Sequence, residues 1–183
     1  MGARSGSSGS GFGSKSKGGS GSGLSRLLSA HESAIRGNDY ETLIALDENG
    51  NLLFSKKGNR TSVAYGADAS KTTNAIVTHN HPDGGSFSWQ DMHGMVALNQ
   101  KEMRATTKDF TYSMKRPEKG WGTDAMKVKR KFQAANNAAR RAYRKQRTGN
   151  AKSDAALWEK LTSDYNAKAA KSFGWEYSVK KNK

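Results

Sequence analysis

Ala75-Ile76-Val77-Thr78-His79-Asn80-His81-Pro82-Asp83-Gly84-Gly85-Ser86-Phe87-Ser88-Trp89-Gln90-Asp91 is the stretch on which the reading of this chain turns. Its first four residues form an apolar run that predicts a strand leading straight into His79. Residues i and i+2 of a strand face the same side, so His79 and His81 can converge on one ion. Ser88 with an acid three places on, Asp91, matches a capping box and predicts a helix from there to about Leu98. Strand end, Pro/Gly turn and helix start together bring the Asp91 carboxylate back toward the two imidazoles. Without the histidines, Asp91 would read simply as the capping acid.

Two His and one Asp make a three-ligand set that leaves one position open, the arrangement of catalytic rather than structural zinc. The chain has no cysteine, which excludes disulfides, Cys-based zinc sites and a Cys nucleophile. Zn2+ is therefore the expected cofactor, and it lowers the pKa of a bound water toward ~7. A base is needed to move the proton. Glu41, at the start of the first expected strand, is the candidate. Ser88 is a candidate donor to a developing oxyanion as well as the helix N-cap. His93 and His31 read as surface groups.

Outward from the motif, Leu24, Leu27, Leu28 and Ile35 lie on a helical stripe that ends near Gly37-Asn38. Thr42–Leu46 and Asn51–Phe54 flank an Asn49-Gly50 turn and predict a β-hairpin. Ser62–Tyr65 is expected to be a further strand. After the motif, Met103–Thr107 and Phe110–Met114 predict two more strands. Pro117 and Gly120-Trp121-Gly122 close this region. The expected class is α/β, a mixed sheet flanked by helices.

Charge divides the chain further. The net charge is +15, of which residues 1–23 carry +3, residues 24–118 carry 0 and residues 119–183 carry +12. Gly and Ser make up 17 of the first 23 residues, a composition expected to form a flexible arm. From Asp124 to Arg147 a long basic helix is expected, followed by a second helix from Ser153-Asp154 and an aromatic end piece, Phe173–Val179. The domain reading is thus an arm (1–23), a metal-binding domain (24–118) and a basic helical extension (119–183). Lys127, Lys129, Arg130, Lys131, Arg140, Arg141, Arg144, Lys145 and Arg147 follow one another with no acid after Asp124. Like charges at this spacing repel, and a polyanion relieves the repulsion and releases counterions. Non-specific DNA or RNA contact is the expected partner reading, with Trp158, Tyr165, Phe173, Trp175 and Tyr177 either stacking on bases or packing inward. The sequence contains no apolar run long enough to span a bilayer and no apolar leader, so a soluble cytoplasmic protein is expected.

The motif from Thr78 to Asp91 resembles the metal-binding pattern of JAB/MPN (JAMM) domains: an upstream Glu, then His-x-His, then Ser-x-x-Asp. The His79-Asn80-His81-Pro82 form is similar to the RadC-type branch. Ser86-Phe87-Ser88, with Arg104-Ala105-Thr106 and Tyr112-Ser113, resembles JAB-like domains of phage and prophage proteins, some of them virion-associated. Six residues separate His81 from Ser88, one fewer than the family's usual spacing, and the Asp83-Gly84-Gly85 turn has the freedom to absorb the difference. The resemblance covers roughly residues 30–118. It implies a zinc metalloprotease or isopeptidase that uses a zinc-bound water on a peptide or isopeptide bond, with Glu41, or else Glu32 on the preceding helix, as the base. The other reading is a non-enzymatic DNA- or virion-associated module with a vestigial JAB fold and a basic nucleic-acid-binding tail.

Overall fold

Four consecutive residues of β1 (Thr42–Leu46) are buried, which a strand achieves only when both its faces are covered. Leu43 and Ala45 enter a large core, while Ile44 and Leu46 enter a smaller one on the opposite face. A computed structural model describes residues 20–183 and shows an α/β fold with one mixed sheet. In chain order the other elements are α1 (Ser20–Ile35), β2 (Leu52–Lys57), a 3₁₀ turn (Gly66–Thr72), β3 (Ile76–Asn80), α2 (Trp89–Ala97), β4 (Glu102–Thr106), β5 (Phe110–Lys115), α3 (Ala125–Gln146), α4 (Ala151–Lys171) and β6 (Tyr177–Lys181).

The sheet order is β2-β1-β3-β4-β5-β6. Only β3 and β4 run parallel, because α2 carries the chain across between them; every other pair is antiparallel. α1 covers one face, placing Leu28 and Ile35 on Ile44, Leu46 and Ile76. Burying each such side chain is worth roughly 1.5–3 kcal/mol. On the other face α2 and α3 lay Met92, Met95, Val128 and Phe132 over Val77, Met103, Ala105, Tyr112 and Met114. Among the described residues no helix is long and apolar enough to cross a membrane.

Several expectations change. α1 begins at Ser20, so residues 20–23 belong to a helix rather than to the arm; the rest of the arm lies outside the described residues. Ser62–Tyr65 is not a strand. Tyr65 instead tucks its hydroxyl under Gln100, whose amide donates to it at 3.0 Å. The largest change concerns residues 119–183. Trp121, Val128, Phe132, Ala169, Ala170 and Trp175 belong to the same core as β3 and α2, and β6 extends the sheet beyond β5. The 118/119 boundary is therefore not a boundary in packing. The basic region packs as a layer on the same core, the lysines and arginines of α3 lying on the solvent side of an apolar stripe.

α4 starts three residues earlier than expected, capped by Asn150, whose side chain accepts from the Lys152 and Ser153 amides. The aromatic end residues pack inward: Phe132, Phe173 and Trp175 stack on one another, and Trp175 meets Trp121 edge-on. They offer no platform for bases.

Candidate metal centre

The alternation of β3 sorts its side chains. Ile76 and Thr78 face α1, while Val77 and His79 face α2 and the large core. His81, one residue beyond the strand, keeps the His79 side, and its amide still donates to the Thr106 carbonyl at 2.9 Å, so the backbone stays extended through the ligand pair. Asp91 lies in the first turn of α2. Its amide donates to Ser88 Oγ at 3.2 Å and its Oδ2 accepts from the Ser88 amide at 2.7 Å, a complete capping box. The cap fixes the carboxylate's direction, and that direction is toward the imidazoles.

The three groups converge. His79 Nε2 and His81 Nε2 are 2.8 Å apart, and each lies beside an Asp91 oxygen, at 3.3 and 3.4 Å. Their ligand atoms all fall within 4.8 Å of one another. Tetrahedral zinc with bonds of about 2.0–2.1 Å sets its ligand atoms roughly 3.3 Å apart, so the two His–Asp separations fit and the His–His separation is somewhat tighter. The outer nitrogen of His81, Nδ1, lies 3.1 Å from the Gly85 carbonyl. A carbonyl only accepts, so Nδ1 carries a proton, and Nε2 is the nitrogen aimed at Asp91, the atom that a metal would take on displacing its proton. His79 Nδ1 is buried without a partner.

Electrostatics agree. Burial alone would lower the His81 imidazole, but the hydrogen bond and charge of Asp91, with help from Glu41, outweigh it and hold it up at about 9. Burial alone would raise Asp91, but the two imidazoles outweigh it and hold its carboxyl well below the usual range. A proton on His81 beside an ionised Asp91 thus already supplies positive charge within the cluster, a role that a metal ion would take over on displacing that proton.

Glu41 stands next to this cluster. Its backbone continues the β1 ladder, bonded at both ends to the Gly58–Asn59 segment. The register that sets Leu43 opposite His79 carries Glu41, two residues earlier, toward His81. Burial pushes its carboxyl above the ordinary value, against the pull of His79 and His81. Glu32 is on the opposite face of the sheet. It accepts from Arg104 Nε at 2.5 Å and from Thr78 Oγ1 at 3.3 Å. Between the two candidates for the base, geometry therefore places Glu41 at the cluster and Glu32 behind the sheet. Ser88 lines the same cleft, and its oxygen serves as the N-cap acceptor. His93 and His31 take no part in the cluster.

The loop between His81 and Ser88 is shaped by α4. Trp158 Nε1 donates to the Gly84 carbonyl at 3.3 Å, the Ser86 amide donates to Thr162 Oγ1 at 2.8 Å, and Asn166 Nδ2 donates to the Phe87 carbonyl at 2.7 Å. Gly84 and Gly85 have φ of +75° and +91°, and a Cβ on Gly85 would stand 2.8 Å from Trp158 Nε1. The two glycines are there because α4 presses on a left-handed turn, a reason invisible in the local sequence. Trp158, Thr162 and Asn166 are the functional neighbours that sequence reasoning missed as such, since no motif links them to a loop some 75 residues away.

The nine basic residues, eight in α3 and Arg147 at its C-cap, fall into three sets. Arg140, Arg144 and Arg147 line a cavity beside the metal cluster, while Lys129 lies 4.8 Å over the Trp89 ring. Lys127, Arg130, Lys131, Arg141 and Lys145 are exposed, and the helical spacing puts them on the outer side of α3. No family model matches this chain, and no curated protein or solved structure is similar to it at a significant level.

Proposed function

We propose that this protein is a zinc-dependent hydrolase of peptide or isopeptide bonds, with His79, His81 and Asp91 as the metal ligands. The observation that carries the reading is the convergence of two imidazole nitrogens and a carboxylate at the wall of a cleft of about 400 Å³, with a buried glutamate of raised pKa beside them. Bound zinc would supply an activated water and a Lewis acid for the carbonyl. The chain's own groups do the rest. Glu41 takes a proton at its carboxylate and returns it to the leaving amine, and burial, which pushes its pKa upward, favours the proton-accepting step. The Ser88 hydroxyl accepts from the Asp91 amide and keeps its own proton for the oxygen on which charge develops.

Elemental analysis of purified wild type and H81A tests the ligands: about one zinc per chain, as three protein ligands imply, and none in the variant. Mass-spectrometric scoring of a peptide library then tests the chemistry. Cleavage in wild type, with E41Q keeping its zinc but losing at least about a hundredfold in rate, is the expected outcome. A wild type that takes up no zinc on reconstitution ends this reading.

A further inference from the structure

The metal cleft opens into a second cavity of about 540 Å³, the two sharing Asp83, Arg140 and Trp158 as walls. Arg144 and Arg147 line its far end. Two acids share the lining, and Arg147 lies within the field of one of them, Asp154. Asp83 is paired with Arg60 at 2.6 Å, and Asp154 accepts from the Thr148 and Gly149 amides at 2.8 and 2.9 Å. Among the described residues, Arg140, Arg144 and Arg147 form no ion pair. Three guanidiniums at i, i+4 and i+7 of one helix repel one another, and a row of anions in the cavity would relieve that repulsion.

We propose that this cavity is a binding site for an acidic peptide segment, whose carboxylates pair with Arg140, Arg144 and Arg147 while the adjoining bond lies at His79, His81 and Asp91. That placement rests on the hydrolase reading; the binding does not. Successive arginines rise about 6 and 4.5 Å along the helix, and alternate side chains of an extended peptide recur about every 6.6–6.8 Å on one face, within reach of flexible guanidinium stems. The fork of each guanidinium matches a carboxylate bidentately. A nucleic acid would add bases that need open aromatic faces. Trp158, half-buried, is already in use. Arg140 lies over its ring at 5.9 Å, Tyr143 meets it edge-on at 5.5 Å, and its indole N–H is given to Gly84.

Fluorescence anisotropy on the full chain decides the matter with three labelled probes: a peptide of alternating Glu and Gly, its Gln-for-Glu counterpart, and a single-stranded DNA. The Glu peptide is expected to bind about tenfold more tightly than the Gln peptide, and R144Q/R147Q to abolish that difference, since exposed Arg–carboxylate pairs are each worth a few-fold. K127Q/K131Q changes the charge equally on the outer flank and is expected to stay within about twofold of wild type. Arg144 and Arg147 are exposed, and equal melting temperatures would show that both variants fold. Equal weakening by the two double variants, or no preference for Glu, overturns the proposal. So does tighter DNA binding that is lost in R144Q/R147Q, which would make the cavity a nucleic-acid site. The measurement is made in chelator, so loss of the hydrolase reading leaves the result intact.

Discussion

β3 carries two buried polar clusters back to back. On the α1 face, Arg104 donates from Nε and Nη2 to both oxygens of Glu32 and from Nη1 to Glu102, which also accepts from Ser113 Oγ. Three of the guanidinium's donors are thereby committed to carboxylates, and no cavity opens there among those described. On the α2 face, His79, His81 and Asp91 crowd their acceptor atoms together beside an open cleft. Both clusters are buried and charged, and β3 lends Thr78 to the first and His79 to the second. The difference is residual bonding capacity. A cluster whose donors and acceptors cancel holds the fold together, whereas one that points spare lone pairs at a cleft is waiting for something.

The largest expected effect would break this comparison or establish it. R104A strands two carboxylates behind the sheet and should cost about 3–5 kcal/mol in denaturant unfolding. H81A, measured in chelator, should cost less, about 1–3 kcal/mol, because the Asp91 carboxylate it leaves behind keeps His79 and the Ser88 amide as partners. Equal losses would mean that both clusters are structural. Next in size, zinc at about a hundredfold over its Kd should stabilise the wild type by roughly 2.7 kcal/mol and leave H81A unmoved in the same titration. G85A should then cost about 1–3 kcal/mol and weaken zinc binding, because it forces a side chain into a left-handed turn against Trp158. G37A, with open space around it, is the neutral control.

The smallest effect concerns acid stability. Backbone hydrogen bonds from Thr148 and Gly149 hold Asp154 below its ordinary pKa. Its contribution is complete above the unfolded value of ~3.9 and fades as pH falls through the lower folded value. Asp124 is held down by the Lys127 amide, Asp47 first by the Asn51 side chain, and Asp68 by the Lys56 and Lys71 ammonium groups. D154N should therefore flatten the acid limb of a stability–pH curve only in part, and leave the metal cluster untouched.

What the sequence made legible was local. The strand, turn and capping box from Ala75 to Asp91 stand as read, because period-two alternation and an N-cap are decided by near neighbours. The choice between Glu41 and Glu32 depended on which face of the sheet each occupies, and that follows from the β1–β3 pairing and the docking of α1, both long-range. β6 went unread because Tyr-Ser-Val-Lys-Lys is short and charged, and only its docking beside β5 makes it a strand. The basic region passed for an appendage because the apolar stripe of α3 that reaches full burial is just Val128, Phe132 and Ala139. Against so many lysines and arginines, that stripe is easily outweighed in any average.

The hydrogen bonds from α4 to the ligand loop join residues 74 to 79 positions apart. During synthesis, His79, His81 and Asp91 leave the ribosome long before Trp158, Thr162 and Asn166 do. An unfinished or clipped chain owns every ligand but lacks the wall that shapes the turn between them. The geometry of the His79, His81 and Asp91 group is in this way set only on completion of the polypeptide, and a fragment ending before α4 is expected to bind added zinc more weakly than the full chain however intact its motif.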